Sequence, residues 1–148
     1  MVDVAIAVAT PDDCALMAQS VNPFQRKLII ALGDKTVQEC MERSFGGSTA
    51  MWSARIGGQL VAMWGVYPLE GGCGYPWLYS TEALAQFPKL ALEVGRIAID
   101  EMLHLHPRLV GTVDTRFEAS VRFAEHLGFT VGEYPAEPPF AVIERRAA

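Results

Sequence analysis

Two histidines, His104 and His106, stand two residues apart near the end of a long apolar-periodic stretch. Paired imidazoles can hold a metal or shuttle a proton. On a helix, a two-residue step turns the rings about 200° apart, so these two cannot share an ion. They read instead as groups that stabilise a helix C-terminus, and His126 reads as solvated on an exposed face. Cys14, Cys40 and Cys73 are far apart and odd in number, with no paired-cysteine or Cys/His ligand spacing. That argues against a disulfide framework or a zinc site and for reduced, buried thiols. Ser80 and Thr81 are suited to hydrogen-bonding a ligand amide or to capping a short helical turn. Trp52, Trp64 and Trp77 fall on predicted strands, where aromatics pack the sheet; Trp77 alone keeps the option of stacking on a ligand.

The elements that must position these residues are legible from periodicity and punctuation. "VDVAIAVA" is short and β-branched, and reads as a strand. "TPDD" follows, with Thr10 as N-cap and Pro11 at the first helical position, so a helix is predicted over 11–21 with Cys14, Met17, Ala18 and Val21 on one face. Asn22 and Pro23 open a second helix that Gly33 closes. "DKTVQECMERSF" is a third, with Val37, Cys40, Met41 and Phe45 on its stripe. The period then changes to two: "TAMWSARI" and "LVAMWGVY" flank Gly57–Gly58, the signature of a tight hairpin. "YPWLYST" is a further strand in which Pro76 predicts an edge, a bulge or a splayed end. "FPKLALEVGRIAIDEMLHLH" is the longest helix, with Leu90, Val94, Ile97, Ala98, Met102 and Leu105 facing the core. The strand "RLVGTVDT", the helix "FEASVRFAEHLG" and the strands "FTVGEYP" and "FAVIERR" complete the order β-α-α(α)-β-β-β-α-β-α-β-β. A hairpin-rich first half before a β-α-β-α-β second half implies a mixed α/β (α+β) fold, a central sheet with helices on both faces.

The chain has 148 residues, read as one domain spanning 1–148. Its net charge is −5, from 12 basic and 17 acidic residues, with no basic face, which argues against nucleic-acid binding. The pair Arg145–Arg146 reads as a solvated tail. A mean hydropathy of +0.19 is high for a small soluble chain; a dense core, or apolar surface covered by a partner or a second copy, would account for it. No apolar run approaches the ~20 residues of a membrane span. The N-terminus lacks a basic segment and carries Asp3, so it does not read as a signal peptide. A cytoplasmic location is expected.

The element order, with "EASVRFAEHLGFTVGE" at 118–133, resembles the GNAT superfamily of N-acetyltransferases. Gly128 ends the helix in the left-handed conformation that glycine takes cheaply, and Phe129 folds back onto it. The resemblance implies a mostly antiparallel sheet in which two parallel strands splay apart and acetyl-CoA inserts between them. Its pyrophosphate would meet backbone N–H groups at the start of the long central helix. It implies cofactor contacts from Leu78, Ser80, Thr81, Lys89 and Phe129. It places a general base at Glu70 or Glu82, with Tyr79 as a further proton-transfer candidate. The acceptor would be a small amine, and no metal is implied.

Two departures from the family pattern bear on function. The family's glycine-rich pyrophosphate loop is here "TEALAQFPKL", which has no glycine. Pro88 lacks an N–H, Glu82 brings a negative charge, and Lys89 is its one cation. In the closing helix, Phe117 falls where many members carry Asn, and Ala124 where they carry the Tyr that protonates the leaving thiolate. The frame with "WLYST", the proline-interrupted loop and "VRFAEHLGF" also resembles the acetyltransferase-like proteins of podoviruses grouped with internal virion protein A. That resemblance implies a catalytically degenerate GNAT-fold protein acting in virion assembly through protein contacts or self-association, in the host cytoplasm or the virion. The alternative is an acetyl-CoA-dependent N-acetyltransferase with a rearranged cofactor site.

Overall fold

The computed structural model describes residues 3–31, 33, 36–132 and 140–147. The elements follow the predicted order: β1 (Val4–Val8), α1 (Pro11–Ser20), α2 (Pro23–Ala31), α3 (Val37–Gly47), β2 (Ala50–Ile56), β3 (Gln59–Pro68), β4 (Gly74–Ser80), α4 (Pro88–Leu105), β5 (Arg108–Asp114), α5 (Glu118–His126), β6 (Thr130–Val131) and β7 (Phe140–Arg146). The seven strands form one sheet in the order β1-β2-β3-β4-β5-β7-β6. The β1/β2, β2/β3, β5/β7 and β6/β7 pairs are antiparallel, and β4/β5 is parallel. Val2, Leu32, Asp34, Lys35 and residues 133–135, which the sequence assigned to elements, lie outside the described residues.

Two compact units make up the fold: Met1–Tyr67 with Trp77–Ala91, and Pro68–Pro76 with Leu92–Ala148. In the first, Thr10 and Asp13 form a capping box that starts α1, each accepting from the other's N–H. The helix buries Cys14, Met17 and Ala18. Together with Cys40 and Met41 of α3 and Met51, Leu60 and Met63 of the sheet, these make one apolar cluster. The α3 stripe differs from the prediction by one position: Ser44 is buried and Phe45 is 39% exposed. Helical spacing from Val37, Cys40 and Met41 leads to 44, and the Ser44 hydroxyl is satisfied there by Tyr79. The hairpin between β2 and β3 turns on Gly57 (φ 57°) and Gly58 (φ 80°), as its sequence requires. Gly65 of β3 lies beneath the Trp77 indole; a Cβ there would stand 2.5 Å from Trp77 Cζ2 and 2.8 Å from Ala50 O. Trp77 Nε1 donates to Ser48 Oγ at 2.9 Å, which completes its role as a packing residue.

In the second unit, α4 buries Val94, Gly95, Ala98, Ile99 and Met102. Ile97 and Leu105, predicted inward, are each 45% exposed. The stripe turns toward Gly95 because α5 approaches there: a Cβ on Gly95 would stand 2.9 Å from Leu127 Cδ2 and 3.1 Å from Phe123 Cζ. The stop of α5 matches its prediction. Gly128 has φ 90°, its N–H donates to Glu125 O at 2.9 Å, and the Phe129 N–H donates to Ala124 O at 3.1 Å. His106 does more than cap α4: it is buried and its Nδ1 hydrogen-bonds Gly72 O at 3.1 Å. Arg145 and Arg146 lie in β7 rather than in a loose tail; Arg145 Nε donates to Leu127 O at 3.0 Å, and Arg146 pairs with Glu144.

Candidate functional site

The residues that the resemblance nominates divide between the units. Leu78, Tyr79, Ser80, Thr81, Glu82 and Lys89 belong to the first; Glu70 and Phe129 belong to the second. Glu70 is exposed at the start of a 3-10 turn over Glu70–Gly72. Phe129 is buried, its amide engaged in the α5 stop. Ala124, in the position of the family's tyrosine, is buried and offers no proton. Phe117, in the position of the family's asparagine, is the N-cap of α5 and makes no side-chain cap bond. Asp114 does not cap that helix; its carboxylate accepts from the Arg116 N–H and guanidinium.

The first unit holds the end of β4, the loop after it and the start of α4. Thr81 N donates to Val61 O at 3.0 Å, so the N–H of Thr81 faces β3. Main-chain groups alternate sides along a strand, so those of Leu78 and Ser80 face the opposite edge. That edge is taken. Gln25 Nε2 donates to Leu78 O at 2.7 Å, and Ser80 N donates to Gln25 Oε1 at 2.8 Å. Asn22 N donates to Ser80 O at 2.9 Å, and Asn22 Nδ2 donates to Ser80 O at 3.0 Å and to Ser80 Oγ at 3.2 Å. A bridge between Val21 and Thr81 aligns the two segments. The side chain of Gln25 thus stands where a partner strand, or an amide-bearing ligand, would bond.

The segment 21–25 is held in this place by its own cap. Asn22 Oδ1 accepts from Gln25 N at 2.9 Å, and Asn22 Nδ2 donates to Gln25 Oε1 at 2.8 Å. Asn-x-x-Gln has the spacing of a capping box, a local signal for the Asn22–Gln25 pairing that says nothing of the contact with β4.

Beyond β4, residues Glu82–Gln86 form a 3-10 helix. Leu84 N donates to Thr81 O at 3.2 Å and Phe87 N to Leu84 O at 2.9 Å, so two amides of the loop are already engaged. Pro88, at the first position of α4, has none to offer. Glu82 and Lys89 are exposed. Tyr79 points the other way, into the apolar cluster: its hydroxyl lies 3.2 Å from Cys40 Sγ and hydrogen-bonds Ser44, and its ring packs against Trp77 at 5.2 Å, tilted by 40°. Burial, then the bond to Cys40, raises its phenol well above the usual range, so it holds its proton firmly. Its hydroxyl is anchored to α3, whereas Glu82 is exposed on the loop. Trp77, likewise, packs on Gly65.

One further polar group in this unit had no forecast. Asp13 is buried and binds Arg55, Ser53 Oγ at 3.0 Å and the Thr10 N–H at 3.0 Å. Burial pushes this carboxyl up, but the bonds from Arg55, Thr10 and Ser53 outweigh it and hold it below its usual range. The set ties α1 to β2.

No family model matches the sequence, and no curated protein matches it. Solved structures do match. The acetyltransferase of the GNAT family from Streptococcus pneumoniae superposes with a TM-score of 0.63 at 13% identity, over 97% of this chain and 99% of that one. The chain has the GNAT fold. Aminoglycoside acetyltransferase AAC(6')-Ib in complex with coenzyme A gives a TM-score of 0.71 at 16% identity, covering 97% of this chain and 95% of its own. A spermidine N-acetyltransferase SpeG chimera from Vibrio cholerae and hSSAT gives 0.73 at 9% identity, with 97% and 95% covered.

The GNAT fold implies acetyl-CoA, and the residues present do not fit it well. Leu78 O, Ser80 N and Ser80 O, the main-chain groups that this stretch of β4 turns away from β3, are held by Asn22 and Gln25 and are not free for a cofactor lying along the strand. A diphosphate at the start of α4 would meet Pro88 and two engaged amides. Among the described residues, no group of three or more metal-ligating side chains occurs, and no helix is long and apolar enough to cross a membrane.

Proposed function

We propose that this chain is a GNAT-fold protein that has given up acetyl transfer and works through protein contacts, in virion assembly like the podovirus internal virion proteins it resembles, in the host cytoplasm or the virion. The observation that carries the reading is the occupation of β4's outer edge by Asn22 and Gln25. Three main-chain groups that a coenzyme would bond are satisfied from within the chain, and displacing the plug would leave the Gln25 amide to find new partners. The engaged amides of Leu84 and Phe87, Pro88, and Ala124 in place of a proton donor support the same reading. Protein contacts have material: Leu16, Phe24, Ile30 and Phe45 put apolar side chains on the surface of α1, α2 and α3.

A second reading is favoured by the neighbours themselves, one of them bound to coenzyme A. In it the chain is an N-acetyltransferase for a small amine of the kind those enzymes' names describe, with Glu82 or Glu70 as base. Phe87, the residue before α4, has no side-chain oxygen with which to cap the helix, so Lys89 and the first-turn amides remain to meet an anion. A thiol-release assay with acetyl-CoA and a panel of polyamines and aminoglycosides separates the two. The first reading predicts no turnover above the uncatalysed rate. Turnover lost on Glu82→Gln or Glu70→Gln would establish the second.

A further inference from the structure

β1 is the outermost strand at one end of the sheet, paired to β2 alone. Ala9 N donates to Met51 O at 3.0 Å, and the β1/β2 register is uniform. The main-chain groups of Ala5, Ala7 and Ala9 therefore face β2, and those of Val4, Ile6 and Val8 face outward. Natural edge strands are usually protected by a charge, a proline or a bulge. β1 has none of these: it is Val-Ala-Ile-Ala-Val, with Ile6 37% and Val8 74% exposed.

The five residues read the same in both directions, which decides the occupant. We infer that β1 pairs antiparallel with β1 of a second copy about a two-fold axis at Ile6. In that register Ile6 faces its own counterpart, Val4 faces the partner's Val8, and Ala5 faces the partner's Ala7. Val4, Ile6 and Val8 become the hydrogen-bonded positions, and the seam gains about six N–H···O bonds. β-branched side chains meet β-branched side chains along it, the favoured cross-strand pairing, and no charge opposes a like charge. A two-fold contact of this kind is self-complementary and closed. The other end of the sheet, β6, is only two residues long, so head-to-tail pairing has far less to hold. A seam about 17 Å long is small for a stable interface, so the dimer is reversible and depends on concentration. The inference stands whether or not coenzyme A binds.

Sedimentation equilibrium up to about 0.5 mM, with amide hydrogen exchange at the two ends of that range, tests it. The expected result is a monomer–dimer equilibrium. In it the Val4, Ile6 and Val8 amides gain protection with concentration, while those of Ala5, Ala7 and Ala9 are protected throughout. Val8→Lys, at an exposed position, should abolish the dimer and leave the melting curve unchanged, while Leu16→Lys on exposed α1 should leave the dimer intact. A monomer throughout, a dimer that survives Val8→Lys, a dimer lost equally in Leu16→Lys, or dimerisation without the alternating protection would each overturn the inference.

Discussion

Replacing Gln25 by Ala removes three hydrogen bonds at one stroke: to Leu78 O at 2.7 Å, from Ser80 N at 2.8 Å, and from Asn22 Nδ2 at 2.8 Å. A typical intramolecular hydrogen bond contributes about 1 kcal/mol net. These are partly buried, and water can reach some of the orphaned groups, so the expected loss is about 2–3 kcal/mol. For a chain of this size, 1 kcal/mol moves the melting temperature by roughly 2–4 °C, so the variant should melt about 5–10 °C lower. Gln25→Glu keeps the acceptor for Ser80 N and turns an oxygen toward Leu78 O, and should fall at least as far. The assay is thermal unfolding by circular dichroism, with urea unfolding as a check that the slope is unchanged. A Gln25→Ala protein that melts within about 1 °C of the parent would show that Gln25 does not hold the β4 edge, because a side chain that closes that edge cannot be removed without consequence.

Two other perturbations probe the same unit. Gly65→Ala places a Cβ against Trp77 and the Ala50 carbonyl, so it should lower stability by about 2–3 kcal/mol and alter Trp77 fluorescence, whereas Gly46→Ala, which meets nothing within 4 Å, should do neither. Asp13 binds its partners as a carboxylate, with its folded pKa below the ordinary value. Its contribution is therefore present above pH ~4 and lost as pH falls through the depressed pKa. Asp13→Asn should cost about 2–3 kcal/mol in urea unfolding at neutral pH, and the gap to the parent should narrow as pH falls through that depressed pKa.

What the sequence disclosed and what it withheld follow from range. The α5 stop at Gly128–Phe129 and the Gly57–Gly58 turn were legible because only a few neighbouring residues decide them. The helix faces were legible to within one or two positions. Phe45 and Ile97 were drawn inward by hydrophobicity, while the positions of Tyr79 and of α5 selected Ser44 and Gly95 instead. The closure of β4 was not legible, because Gln25 and Ser80 are 55 residues apart and an exposed-looking glutamine has no local reason to be placed there. The glycine-free loop and Pro88 pointed to a changed loop before α4; the bonds of Asn22 and Gln25 to Leu78 and Ser80 are visible only in the fold. Asp13 escaped for a related reason: its capping role is local, but its pairing with Arg55 depends on where β2 lies.

Calorimetric titration of the intact protein with acetyl-CoA bears most directly on the central claim, that β4's outer edge is closed to a coenzyme by Asn22 and Gln25. No saturable heat is expected up to about 1 mM ligand. A saturable isotherm with a dissociation constant below about 100 µM, worth more than about 5 kcal/mol of binding free energy, would contradict it.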